Sequence, residues 1–231
     1  MGVKDDLTSE VGAIFRSRWS TRDGREVPSD ASLKLGNDAI KISATVLYAD
    51  LADSTNLVDD NSPMFAAEIY KTFLHCAAKV IRSEGGVITA YDGDRIMAVY
   101  IGDTKNTAAM RTALKIKWAV TNIIEPLKAS QYKDKSYTLR HVVGIDTSDL
   151  FVAKTGVRGA NDLVWVGRAA NYAAKLSALP HSHSSRVTKA VYDVAMDSVK
   201  KFNGQDLWEK VTWTDFGNRE IYRTNASWQI S

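Results

Sequence analysis

Two short apolar runs, Val87 to Tyr91 and Ile96 to Ile101, meet at Asp92-Gly93. A connection this short, with a glycine to take a positive φ, forces the two runs into an antiparallel hairpin. Long helical patterns flank that hairpin on both sides. Behind Ser62-Pro63, which opens a helix, Phe65, Ile69, Phe73, Ala77, Val80 and Ile81 recur at intervals of three and four. That helix ends near Glu84, before Gly85-Gly86. A second helix runs from about Lys105 to Lys128. Outside the helices stand two β-branched runs, Ile40 to Tyr48 and Tyr137 to Asp146. The order β-α-β-β-α-β predicts an α+β fold with a ferredoxin-like, or palm-like, core.

Residues 5–20 carry the helical spacing Leu7, Val11, Ile14 and Phe15, and residues 20–38 are polar and read as a connector. An N-terminal helix and connector over 1–38 therefore precede a main domain over 39–231. Leu150 to Lys154 and Asn161 to Val166 read as strands, Arg168 to Leu179 and Val187 to Phe202 as helices, and Trp208 to Tyr222 as a closing hairpin. A chain of 231 residues is long enough for a full core, and a net charge of +3 is far too small for a dedicated nucleic-acid binder. The single cysteine, Cys76, lies in an apolar helical pattern and reads as a buried, inert thiol of a reducing cytoplasm. No apolar run is long enough to insert into a membrane.

The chemistry concentrates in acids. Asp50 closes the first strand, in VLYADLADST, and Asp94 follows the hairpin turn. In a β-α-β-β-α-β sheet the first and third strands are central neighbours, so the strand end and the turn fall on one sheet edge. Two carboxylates facing each other there suit hard cations, Mg²⁺ or Mn²⁺. Two such ions can serve an in-line phosphoryl displacement. Beyond Asp50, the turn Asp53-Ser54-Thr55 offers backbone N–H groups to phosphate oxygens. The Asp53 charge is awkward there and suits a turn or cap instead. In WVGRAANYAAKL, Asn171 and Lys175 are four apart on one helical face, where an amide and an ammonium can hold a ribose and offset phosphate charge. Arg168, Arg158 and Lys154 read as solvated surface charge, and His181-Ser182-His183 as an exposed loop rather than a metal site.

Together these segments resemble the catalytic domain of class III nucleotidyl cyclases over about Ile40 to Phe202. The resemblance implies that Asp50 and Asp94 bind two metal ions, helped by the backbone carbonyl of Leu51. It implies that Asn171 orients the ribose and that Lys175, where the family has arginine, stabilises the pentavalent α-phosphate. It further implies a homodimer in which each active site takes its metal acids from one chain and its Asn/basic helix from the other.

Where purine cyclases read the base with Lys and with Asp or Thr, this chain has Ala90 and Val164. Neither side chain can form a hydrogen bond, so a purine edge would go unread. GREVPSDASLKLGND and ATVLYADLADST resemble the pyrimidine cyclases of bacterial anti-phage (Pycsar) systems. That likeness implies conversion of UTP to 3′,5′-cyclic UMP, or of CTP to cyclic CMP, and activation of a separate effector protein. Tyr48, Ala90 and Val164 are the candidate base contacts. The rival readings are an adenylate cyclase with an unusual base pocket and a non-catalytic nucleotide-binding homologue. A diguanylate cyclase is opposed by the absence of its Gly-Gly-Asp/Glu-Glu-Phe signature from the hairpin.

Overall fold

The computed structural model describes residues 2–230. Its elements, in chain order, begin with α1 (Val3–Arg16), β1 (Ser20–Asp23), β2 (Asp38–Leu51), α2 (Ser54–Asp59), α3 (Pro63–Ser83), β3 (Val87–Asp92) and β4 (Arg95–Tyr100). They continue with α4 (Lys105–Ala119), α5 (Glu125–Gln131), β5 (His141–Val157), β6 (Ala160–Val166), α6 (Arg168–Ser177), β7 (Ser185–Thr188) and α7 (Lys189–Val194). The short strands β8 (Lys201–Phe202) and β9 (Gln205–Asp206) precede the hairpin β10 (Glu209–Trp213) and β11 (Arg219–Thr224). The main sheet has the order β10-β11-β7-β5-β2-β4-β3, with β1 beside β2 and β6 beside β5. The β-α-β-β-α-β core is therefore present, and its first and third strands, β2 and β4, are neighbours as expected.

The chain divides into two compact units. The larger comprises residues 44–148 and 168–231. In it α3 is opened by Ser62, whose side chain accepts from the Phe65 N–H, and buries Phe65, Ile69, Phe73, Ala77, Val80 and Ile81. It packs on α4, β3 and β4. The carboxylate of Glu84 joins the two helices through ion pairs to Arg111 (2.5 Å) and Lys115 (2.6 Å). A π-helical turn, Val120–Ile124, continues α4 into α5 just ahead of Pro126, which has no N–H to donate to a regular helical bond. On β11 the neighbours Ile221 and Tyr222 belong to different apolar clusters. Successive strand residues point to opposite faces. The α3/α4 core thus covers one face, and α6, with Leu176 against Trp213 and Ile221, covers the other.

The smaller unit comprises residues 1–43 and 149–167. Here α1 buries none of its side chains. Asn37 donates to the carbonyls of Ile14 (2.9 Å) and Ser17 (2.7 Å), and Trp19 meets Phe151 edge-on at 4.9 Å. β5 and β6 form a hairpin whose register runs from Phe151 opposite Val166 to Val157 opposite Ala160. Among the described residues no helix is long and apolar enough to cross a membrane.

Three expectations are corrected. The connector contains a strand: Ser20–Asp23 pairs in parallel with Asp38–Lys41. All four of its residues are exposed, so no hydrophobic pattern betrays it. The two strands expected around residues 137–154 are one, beginning at His141. The polar residues within it stay extended because they have tertiary partners: Asp146 is held by Arg168 and Thr188, and the Thr147 hydroxyl donates to the Ala44 carbonyl at 3.1 Å. The helix expected over Val187 to Phe202 exists only as Lys189–Val194. Ser185–Thr188 is instead a fully buried strand, hydrogen-bonded to β5 on one side and β11 on the other.

Candidate active site

Local chemistry sets the first acid. The β2 segment Ala44–Leu47 is fully buried, and its register against β4 runs from Thr45 opposite Tyr100 to Asp50 opposite Arg95. The β3–β4 hairpin closes with Asp92 opposite Arg95, so the turn residues are Gly93 and Asp94. Gly93 alone takes a positive φ (61°), as the first central residue of a tight hairpin turn. The second acid therefore sits in the turn itself, one residue from the strand position that faces Asp50.

Burial and the neighbouring acid both act on Asp50. The Asp50 carboxyl is pushed up to about 6, first by burial and then by the charge of Asp94, with Arg95 pulling the other way. One oxygen of Asp94, Oδ2, is buried without a hydrogen-bond partner. A half-buried carboxyl that resists ionising and an orphaned carboxylate oxygen beside it are both relieved by a divalent cation. The donor set thus fits such an ion. Among the described residues no cluster of three or more His, Cys, Asp or Glu side chains forms a metal cage, so the remaining ligands would come from the backbone at Leu51, from water and from substrate oxygens.

After β2 the chain turns sharply. Asp53 adopts a left-handed conformation (φ 58°, ψ 30°) ahead of α2 and makes no side-chain capping bond. Its Oδ2 instead lies 3.2 Å from Nδ1 of His181. His181 Nε2 is 2.7 Å from the guanidinium of Arg140, and the Arg140 carbonyl accepts from the Ala52 N–H at 2.9 Å. A polar cleft of about 510 Å³ adjoins this turn, lined by Asp53, Asn56, Lys135, Tyr137 and Arg140. The loop histidine dismissed on sequence is therefore part of the site's surroundings. Only its spatial partners reveal it.

Asn171 and Lys175 are both exposed on α6. The Lys175 ammonium lies 5.0 Å over the Phe216 ring. The close seat of α6 is made possible by Gly144 on β5, where a Cβ would stand 2.2 Å from the Ala173 carbonyl oxygen. Arg168, read as surface charge, proves to be structural: it bonds the buried Asp146 carboxylate (3.0 and 3.3 Å) and the Thr147 carbonyl (2.6 Å). Lys154 likewise pairs with Asp30 at 2.7 Å. Of the candidate base contacts, Tyr48 is half-buried with the Arg95 guanidinium 5.2 Å above its ring, and Ala90 is half-buried opposite Met97. Val164 is 38% exposed on β6, opposite Ala153, in the smaller unit.

The fold is shared with solved cyclases. The adenylyl cyclase CyaB from P. aeruginosa matches with a TM-score of 0.66 at 18% identity, over 80% of this chain and 94% of that one. A guanylyl cyclase matches equally well, at 0.66 and 17% identity over 82% and 94%. The architecture is that of a class III nucleotidyl cyclase. No protein-family model matches the chain. Curated full-length relatives do: a uridylate cyclase from Xanthomonas perforans is 56% identical over 100% of both chains, and one from Burkholderia cepacia is 48% identical over 99% of both. The chain belongs to the uridylate cyclase family.

Proposed function

We propose that this protein converts UTP to 3′,5′-cyclic UMP and pyrophosphate. The observation that carries the cyclase reading is the pair of acids Asp50 and Asp94 at the β2–β4 edge, with the orphaned Oδ2 of Asp94. Uracil as the base is supported by the full-length relatives and by Ala90 and Val164, whose side chains leave a purine edge without partners. In the reaction the substrate's 3′-oxygen bonds to its own α-phosphorus and loses its proton. The bond from that phosphorus to the α,β-bridging oxygen breaks, and pyrophosphate leaves. Two divalent ions, Mn²⁺ or Mg²⁺, would be held by Asp50, Asp94 and the Leu51 carbonyl, and would supply charge neutralisation to the attacking and leaving oxygens.

The residues of the chain do the rest. Asn171 orients the ribose, and Lys175 offsets charge on the α-phosphate as a point charge without arginine's fork. Backbone N–H groups of Asp53, Ser54 and Thr55 receive phosphate oxygens. Two chains share each site, the acids from one protomer and α6 from its partner, so the working unit is a homodimer. Residues 39–231 form the catalytic domain and 1–38 an accessory segment. The protein acts in the cytoplasm, and cyclic UMP serves as a messenger that switches on a separate effector during anti-phage defence.

The test is direct. The protein is incubated with ATP, GTP, CTP or UTP, each with Mn²⁺, and cyclic products are separated. Cyclic UMP as the main product is expected. Cyclic CMP would move the assignment to cytidylate cyclase, and cyclic AMP would overturn the base-pocket reading. No product from any triphosphate would favour a nucleotide-binding role without turnover.

A further inference from the structure

His181 follows α6 and Pro180, in a loop with no sequence signature of a site. It nevertheless joins two segments beside the acids. An arginine can only donate, so His181 Nε2, 2.7 Å from the Arg140 guanidinium, is the acceptor. The ring proton is then on Nδ1, the atom 3.2 Å from Asp53 Oδ2. The order Arg140 to His181 to Asp53 is thereby directional, each group donating to the next. The backbone adds a second tie, from the Ala52 N–H to the Arg140 carbonyl. Arg140 is held by main chain and side chain alike against the turn that follows the first acid.

The arrangement answers two problems at once. Asp53 carries a negative charge at a turn otherwise suited to phosphate, and its left-handed backbone is a strained one for a residue with a Cβ. The Nδ1 proton of His181 engages that carboxylate and pins the turn. Arg140 has a long, flexible side chain, and a guanidinium has five N–H donors. The bond to His181 occupies a single nitrogen and leaves the others for the cleft that Arg140 and Lys135 line.

We propose that His181 is a positioning residue for the polyphosphate end of the nucleotide: it draws the Asp53 carboxylate aside and fixes Arg140 so that its remaining donors meet the phosphates. The inference rests on the cyclase reading for its substrate, but its geometry concerns any polyphosphate bound in this cleft.

His181→Ala is expected to raise the KM for UTP about tenfold while kcat stays within about twofold, because the lost order acts on ground-state binding. Because His181 acts in part through Arg140, the double variant His181→Ala/Arg140→Ala is expected to lose less than the sum of the two single variants. An unchanged KM in His181→Ala, or fully additive effects in the double variant, would overturn the proposal. His181→Asn, which keeps an N–H toward Asp53 but is too short to place an acceptor where Nε2 meets Arg140, guards against misfolding. It should retain the KM defect, and a wild-type KM would overturn the Arg140 arm. Binding of inorganic tripolyphosphate with Mn²⁺, measured by calorimetry, separates this idea from the cyclase reading. If the wild type makes no cyclic product, that reading fails, yet weaker tripolyphosphate binding by His181→Ala still supports the positioning role. Equal dissociation constants would refute it.

Discussion

At the scale of single residues, Asp50 is held where a carboxylate is least comfortable. It is half-buried and faces the charge of Asp94, and its carboxyl is pushed up to about 6. Such placement costs stability, and a divalent cation bound by the two acids would offset that cost. Replacing Asp50 with Asn removes the charge and keeps the shape. Turnover should fall by about a thousandfold or more, while the metal-free melting temperature stays level or rises, because the repulsion disappears. Cyclic-product assays and thermal melts in chelator check the two halves, and an active Asp50→Asn protein would refute the metal assignment. The two acids were legible because both lie within a few residues of a strand end or a turn. Asp53's engagement with His181 was not, because its partner lies far along the chain.

At the scale of elements, β5 governs both stability and the seat of α6. His141 at its start is fully buried, and burial followed by the Lys117 charge pushes its ring down to about 3. Between about pH 6.5 and 3 the unfolded chain therefore binds a proton that the folded chain does not. Stability falls as pH falls through that window, by up to about 1.4 kcal/mol per pH unit. His141→Leu should flatten this acid limb, and urea midpoints at pH 7 and pH 5 measure the slope. Further along β5, Gly144→Ala would drive a Cβ into the Ala173 carbonyl and the Ser177 amide of α6. We expect a loss of about 1–3 kcal/mol together with reduced turnover, because the helix that displaces carries Asn171 and Lys175. Chemical denaturation and steady-state assays read both effects. β5 also marks where pattern-reading stops. Its polar middle looks like a break until Arg168 and Thr188 are seen to grip Asp146.

At the scale of the whole molecule, the acids and α6 belong to separate elements of one chain, and the proposed active site unites them across two. Asp50→Ala and Asn171→Ala should each be inactive alone. Mixed and allowed to exchange, they should recover about a quarter of wild-type activity, since half the dimers are then mixed and each of those has one intact site. Activity absent from every mixture, with heterodimers present by mass, would refute the shared site. Recovery far above a quarter would contradict the count of sites.

What the sequence determined by itself was the strand and helix order, the hairpin at its centre and the two acids at one sheet edge. Each depends on hydrophobic periodicity and turn chemistry, which act over a few residues. What only the tertiary structure decided was the place of Val187 and Thr188, expected to start a helix, in the buried strand Ser185–Thr188, the commitment of Arg168 to Asp146, and the Arg140–His181–Asp53 array. These depend on hydrogen bonds between segments distant in the chain. Short polar or β-branched stretches have no strong preference of their own, so the partner that satisfies their buried groups settles their conformation and role.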